Sequence, residues 1–549
     1  MRSHLCTKRV GLSLAGLTLG ACANSEPEIV DWCSVPTPGD APAVTLATGG
    51  LVYEIYVRSF LDTDGDGIGD LAGVTSKLDY LKLLGVDTIW LMPVFESPSV
   101  GGYNTESFRH VNPDYGTDED LEALFAEAET RGIRVLLDVG LNQTSDTHAW
   151  FQAALDDPDG PAGRRYLLSD VRWDEVRWWE AGQDLYYYAF FGPDHPDLNW
   201  ANPDVATSIR DALNGWLDRG AGGFRLDAVV QLIEEDDAVV NTDGSHCALA
   251  WLYGQLKARH PDALLLSEAW SQTVPENLGW LGTEEAPEAD MVIDVPMRYA
   301  LVSALSEGSA APLLTYTAAQ SELTDVDLRR APYLDAHDLA RLPTTLPDAR
   351  ARRSALALLM MSPGAPILFY GDEIGLTDTP EDAEHDEPQR GPMLWDDTYN
   401  AGFSAATPWF PVDQTYLDGL NVAAQSNDPT SQWSLVSSLS RLRASSAAAQ
   451  QGALSWAPSD AEQAMVMARY TDDEGVAVIV NLSSTETVSP TVMLPAELGP
   501  WLDLTGGRVG SPALGQVSVE SIPPLGYRVL ASPSQAGQWI PGPVAAGEE

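Results

Sequence analysis

Apolar positions in this chain switch repeatedly between two periods. Residues 51–56, 88–91, 135–139, 224–226, 265–268, 291–294, 333–336 and 367–370 are short apolar runs of strand length, bounded by turn residues. Between them apolar residues recur at helical spacing. Residues 74–84 carry Leu78, Leu81 and Leu84 on one face, with Gly85 as the stop. Thr117, followed by Asp118, Glu119 and Asp120, places a hydroxyl cap and negative charge at the start of a second helix, and Arg131-Gly132 closes it. Asn202-Pro203 opens another as cap and first position, and Gly220 ends it. Residues 348–361 and 434–443 supply two more. Strands alternating with helices predict an α/β fold built on a parallel sheet.

Two stretches break the alternation. Residues 143–200 are rich in Trp, Tyr and Asp, including Trp173, Trp178, Trp179 and Tyr186 to Tyr188, and show no strand–helix alternation. Their aromatics serve either as platforms for a ligand or as the segment's own core. Residues 451–532 turn to short β-rich runs at 465–470, 476–481, 491–494 and 527–530, which predict a small antiparallel sandwich. Residues 533–549, with Gly, Pro and Glu, are expected to be a disordered tail.

The amino terminus reads as a targeting segment over residues 1–22. Arg2, Lys8 and Arg9 precede an apolar run at 10–19 that is too short to span a bilayer as a helix. It ends in Leu19-Gly20-Ala21-Cys22, which resembles a bacterial lipoprotein cleavage box; an ordinary secretory signal is the alternative. A lipid on Cys22 would then be the only link to a membrane, followed by a tether at 23–47. Cys6 would leave with the signal. Cys33 and Cys247 would remain to pair in an oxidising compartment. The whole chain has 549 residues and a formal net charge of −49, from 80 acidic against 31 basic residues. That excludes nucleic acid as a partner, because phosphate binding needs clustered Lys and Arg. A neutral polymer is not repelled.

Candidate chemistry sits where the strands end. In Gly222-Gly223-Phe224-Arg225-Leu226-Asp227-Ala228 the alternation of side chains puts Arg225 and Asp227 on one strand face. A guanidinium beside the carboxylate is expected to lower its pKa and keep it ionised. An ionised carboxylate so placed is either a nucleophile or half of a structural ion pair. Three more stretches end in carboxylates: Leu265-Leu266-Ser267-Glu268-Ala269, Leu334-Asp335-Ala336-His337-Asp338, and the strand that runs into Asp138 and on to Asn142. In this order and spacing the four resemble the signature regions of the alpha-amylase family of glycoside hydrolases, over most of the chain after about residue 51. Pro196-Asp197-Leu198-Asn199, residues 364–373 and Gln389-Arg390-Gly391-Pro392 also match family motifs.

The resemblance implies a (β/α)8 TIM barrel over 48–142 and 201–450, the insert at 143–200 after strand 3, and the C-terminal β-sandwich. It implies Asp227 as nucleophile, Glu268 as acid and base, and Asp338 as the group that holds a distorted sugar. Arg225, His337, Tyr103, Gln143 and Arg341 are the expected substrate contacts, and Asp138 is expected to orient Arg225. Asp62, Asp64, Asp66, Ile68 and Asp70 alternate with glycines, so their oxygens can surround a hard cation. The same loop in alpha-glucosidase-like members implies a calcium ion as cofactor. It is no EF-hand, since position twelve is Gly73. Asn142 and Asp197 resemble ligands of a second calcium site and are left unassigned.

The chain departs from the family at Gln143, where a histidine is usual, and at Ala336, where an asparagine is usual. The expected activity is retaining cleavage of alpha-1,4 bonds in alpha-glucans or maltooligosaccharides. Val100 stands where exo-acting relatives carry an Asp before the Gly-Tyr pair, which favours an open cleft and endo action. The Arg390 motif points instead to an alpha-glucosidase or a transglycosylase such as trehalose synthase. A reading of another class is a non-catalytic surface glycan-binding lipoprotein, supported by Gln143 and Ala336. The sequence leaves the oligomeric state open.

Overall fold

The computed structural model describes residues 30–36, 50–182, 184–235, 238–320, 328–379, 387–511 and 513–533. The expected lipidation box at Cys22, most of the expected tether and nearly all of the expected tail lie outside them.

Eight strands form one parallel sheet: β1 (Leu51–Ile55), β2 (Val86–Leu91), β3 (Arg134–Gly140), β4 (Gly223–Asp227), β5 (Leu264–Ser267), β6 (Met291–Ile293), β7 (Arg330–Ala331) and β8 (Ile367–Phe369). β1 pairs with both β2 and β8. The Ile367 N–H donates to the Pro332 carbonyl at 2.8 Å and the Ala365 N–H to Arg330 at 2.9 Å, which closes the ring between β7 and β8. This is the (β/α)8 barrel that the resemblance implies, on the parallel sheet that the alternation predicts. Its interior layer takes Val52, Trp90, Leu136, Leu266, Met291, Ala331 and Ile367 from seven strands. β4 gives Arg225 there, buried and charged. Gly223 lets β4 press against β5: its φ is 147°, and a Cβ would lie 2.0 Å from the Leu264 carbonyl oxygen.

The helices cap as the sequence reads. Thr117 and Asp120 form a reciprocal capping box on Asp118–Thr130, and Asn202 caps Pro203–Asp218. Two elements differ from expectation. The helix expected over 74–84 is two, Leu71–Ser76 and Leu78–Leu84, joined through Lys77, with Asp70 capping the first. The seventh strand lies earlier than 333–336: Pro332 has no N–H to give a ladder, so regular pairing stops at Ala331 and residues 333–336 run on as loop.

The described residues of 143–200 hold the α-helix Ala149–Asp156, a 3-10 turn at Gly163–Arg165, and a small antiparallel sheet of Leu168–Ser169, Leu185–Tyr188 and Trp178–Gly182. Phe151, Tyr166 and Tyr187 pack edge to face as its core, at 5.0 and 4.9 Å between rings, while Trp173 is exposed. After residue 452 a five-stranded and a three-stranded antiparallel sheet face each other. Ala453–Pro458, which forms an edge of the larger one, lies outside the expected β-rich runs.

Residues 30–36 dock on the barrel. The Trp32 indole donates to the Trp200 carbonyl at 2.7 Å and packs against Trp251, and Cys33 is disulfide-bonded to Cys247. No helix among the described residues is long and apolar enough to cross a membrane.

Candidate active site

The strand ends bring Asp138, Asp227, Glu268, Asp338, Tyr103, Arg225 and His337 together at the C-terminal mouth of the barrel, the end at which barrel enzymes carry their chemistry. Arg225 is the hub. Its Nη1 lies 2.8 Å from Asp138 Oδ1 and 2.5 Å from Asp227 Oδ1, and its Nη2 lies 2.5 Å from Glu268 Oε1. Asp138 is fixed in turn by the Trp90 indole at 2.9 Å and the Tyr103 hydroxyl at 3.0 Å. Asp227 is the last residue of β4, and Ala228 after it takes a left-handed φ of 51°, which turns the chain away and leaves the carboxylate at the cleft floor.

Asp338 stands on the loop after β7. Its Oδ2 meets His337 Nε2 at 2.9 Å and its Oδ1 accepts from Arg390 Nη2 at 3.1 Å. His337 also meets the Tyr103 hydroxyl at 2.8 Å, with the two rings stacked. Gly102, at φ 80°, sets the turn that aims Tyr103 inward, where a side chain would strike Pro93.

The electrostatics divide the carboxyls. Burial pushes Asp227 up; Arg225 opposes this and Asp138 adds to it, and the net shift is upward. The expectation that Arg225 alone would lower it is therefore corrected: one guanidinium is shared among three carboxyls in a buried site. Burial likewise lifts Glu268, against Arg225 and with help from Asp227 and Asp338, to about 7. For Asp338 burial also acts upward, but His337, Arg390 and Arg225 outweigh it and hold the group well below the usual carboxylate range. His337 is pulled down by burial and lifted further by Asp338 and Glu54, to about 10.

Two expected contacts lie elsewhere. Arg341 is fully buried and turned away from the mouth, bonded to the Gln389 carbonyl at 2.8 Å and the Tyr370 carbonyl at 2.5 Å. Arg390 occupies the place beside Asp338 instead. Gln143 is buried and donates to the Tyr103 carbonyl at 3.0 Å, so it braces the tyrosine loop from behind. Sequence reasoning missed Trp270 and Tyr299, which line the cleft with Glu268, Tyr333 and Asp338 and are 54% and 45% exposed. The position of Trp270, two residues after Glu268, was the available signal.

A second, wider concavity of about 800 Å³ opens at the other end of the barrel, by Gly50, Asp87, Arg134 and Arg443, and contains none of these carboxyls.

In the acidic loop, carboxylate oxygens of Asp62, Asp64 and Asp70 lie within 4.8 Å of one another. Asp62 is held by the Gly65 and Gly67 N–H groups and Ser404, and Asp70 by Thr63 and the Gly73 N–H. Asp66 turns one oxygen to the Ile68 N–H and lies outside this trio. Clustered hard oxygens of this kind suit a divalent cation.

The description "Alpha amylase, catalytic domain" matches residues 54–452. The chain belongs to the alpha-amylase family. Among curated members of the family, the chain is 34% identical to a trehalose synthase/amylase of Mycolicibacterium smegmatis, over 69% of this chain and 73% of that protein. It is 31% identical to a glucan 1,6-alpha-glucosidase of Streptococcus pneumoniae, over 79% and 91%. Among solved family structures, an alpha-glucosyl transfer enzyme superposes with a TM-score of 0.77 at 26% identity, over 88% of this chain and 99% of that one.

Proposed function

We propose that this alpha-amylase-family enzyme is a retaining alpha-glucosidase or alpha-glucosyl transferase acting on short alpha-glucosides. The observation that carries the chemistry is the sharing of Arg225 between Asp227 and Glu268, beside an Asp338 that is held ionised. The names of the trehalose synthase/amylase and the glucan 1,6-alpha-glucosidase support small-glucoside or transfer chemistry over the endo-amylase reading, and so does Arg390 seated on Asp338.

In the first step an Asp227 oxygen bonds to the anomeric carbon as the glycosidic C–O bond breaks, and Glu268 gives its proton to the leaving oxygen. In the second, Glu268 takes a proton from water or from a sugar hydroxyl, whose oxygen attacks the anomeric carbon and releases Asp227. Two inversions retain the alpha configuration. A Glu268 carboxyl near 7 suits both duties. Asp338 and His337 grip the hydroxyls of the glucosyl unit. Trp270 and Tyr299 offer apolar faces to an acceptor sugar.

A calcium ion held by Asp62, Asp64 and Asp70, with Asp66 and the Ile68 carbonyl alongside, is proposed as a structural cofactor that rigidifies the loop after β1. Export to an oxidising compartment is proposed too, supported by the Cys33–Cys247 disulfide.

One observation favours a second reading. Val100 stands where exo-acting relatives carry an Asp, and Arg390 pairs with Asp338 and with Glu387 of its own turn, at 3.1 and 2.7 Å. A pocket wall lacking that acid admits endo action on longer glucans.

The test is product analysis by proton NMR on maltose and on maltoheptaose, with wild type and Asp227→Asn. Glucose released as the alpha anomer, with transfer products from maltose, is expected, and the variant should be silent. Mid-length products from maltoheptaose without action on maltose would return the endo-amylase. No turnover in calcium-containing buffer across several alpha-glucosides would leave a glycan-binding protein.

A further inference from the structure

The imidazole of His337 lies between two carboxylates. Glu54 Oε1 is 2.5 Å from Nδ1, and Asp338 Oδ2 is 2.9 Å from Nε2. Glu54 accepts at Nδ1, and at Nε2 the Tyr103 hydroxyl, 2.8 Å away, gives its own hydrogen to Asp138, so its oxygen accepts too; the ring therefore donates from both nitrogens, and only the imidazolium does that. Glu54 is the fourth residue of β1, buried with no exposure, and its Oε2 has no hydrogen-bond partner. The cost of burying this carboxylate is therefore met chiefly at His337.

We infer that Glu54 is a positioning residue that holds His337 as a fixed imidazolium, so that a cationic N–H faces the sugar site beside Asp338. The inference rests on the glycosidase reading for its purpose, but the ion pair can be tested without it.

The surroundings bear on the charge from every side. Glu54 approaches from β1, and Trp90 from β2 sets its ring edge-on at 5.8 Å. Tyr103 stacks from the loop after β2, Asp138 comes from β3 and Glu268 from the end of β5. Gln389 Nε2 and Arg390 Nε both donate to the His337 carbonyl and pin its backbone. Acids outnumber cations around the ring, and Glu54 is the one bonded to Nδ1, on the ring edge away from Asp338. Without it, Asp338 alone would have to charge the imidazole, and the ring would be free to rotate off Nε2.

The experiment is nitrogen-15 NMR of the histidine rings, with His337 assigned from the signal lost in His337→Asn. Wild type is expected to show His337 protonated at both nitrogens throughout pH 6 to 8. In Glu54→Gln its titration midpoint should fall by about 1–3 pH units, with Glu54→Asp intermediate. Alongside, kcat/KM on an alpha-glucoside should fall by about tenfold to a hundredfold, the range typical when the partner that orients a functional imidazole is removed. A neutral His337 in wild type at pH 7 would overturn the inference without any variant having to fold. So would an unchanged midpoint in Glu54→Gln. A charged His337 in a protein that turns over no glucoside would keep the inference and sink the glycosidase reading.

Discussion

Arg225 Nη1 binds Asp227 and Arg225 Nη2 binds Glu268, each at 2.5 Å, so one planar group sets the positions of both carboxyls. A lysine offers a single point charge and cannot span the two. Arg225→Lys should lower kcat by about 10²–10³-fold, the scale seen when one preorganised stabilising donor is lost. It should also lower the melting temperature, because the buried carboxyls of Asp138 and Asp227 lose their partner. Steady-state kinetics and calorimetry read the two effects separately; unchanged kcat would remove Arg225 from the chemistry.

The carboxyl shifts give a bell-shaped pH profile. Glu268 must carry its proton to act as acid, so activity should fall as pH rises through about 7. Asp227 must be ionised to attack, and its upward shift places the acid limb above the range of an ordinary aspartate. In Glu268→Gln, substrates with an activated leaving group, such as nitrophenyl glucosides, should retain glucosyl-enzyme formation while the alkaline limb disappears. Persistence of that limb would assign it to another group.

Removal of divalent cation tests the acidic loop. A chelator should lower the melting temperature, and added calcium should restore it, by about 2.7 kcal/mol at one hundred times the dissociation constant. Asp62→Asn or Asp70→Asn should abolish the calcium response. A melt indifferent to chelator would leave the loop a set of capped turns, held by the Gly65, Gly67 and Gly73 N–H groups with Thr63 and Ser404.

The Cys33–Cys247 bond joins residues 214 apart in sequence. Closing so long a loop stabilises mainly by restricting the unfolded chain, by about 2–5 kcal/mol. Cys33→Ser should lose that stability yet keep kcat, since the bond lies outside the strand-end cluster. A parallel loss of kcat would tie the amino-terminal segment to the site.

Trp270, half exposed beside Glu268, should govern how well a sugar competes with water for the glucosyl-enzyme. Trp270→Ala should lower the transfer-to-hydrolysis ratio several-fold while release of the first product changes less. Product ratios at rising maltose concentration measure this directly. A constant ratio would move the acceptor elsewhere.

Much of the fold was legible because each signal is local. The apolar runs of β1 to β6 and β8 end close to where the sheet does, and Thr117, Asn202 and Gly85 stop or start helices through their own side chains or φ. The carboxyl cluster was legible from the strand-end spacing of Asp138, Asp227, Glu268 and Asp338. What escaped depends on the third dimension. Pro332 shortened β7 although the apolar run at 333–336 looked strand-like. Arg341 was expected to touch substrate and Arg390 stood only in a family motif, and only packing shows that Arg341 turns to carbonyls while Arg390 reaches Asp338. The direction of Asp227 was misjudged because sequence shows its neighbour Arg225 but not the burial of the carboxyl, which is the largest cause of the upward shift.

The C-terminal sheets are joined to the barrel by more than a covalent link. Along Ala464–Tyr470 and Gly475–Asn481 side chains alternate in allegiance: Val466, Ala468, Ala477 and Ile479 fill the sandwich, while Met465, Met467, Val476, Val478 and Val480 belong to the main core of the barrel. Ser354, on the barrel helix Ala349–Met361, donates to the Leu525 carbonyl across the join. The two units therefore form a single cooperative folding block. A chain cut near residue 452 would bare an apolar helix face and be expected to aggregate, and the intact protein should melt in one transition.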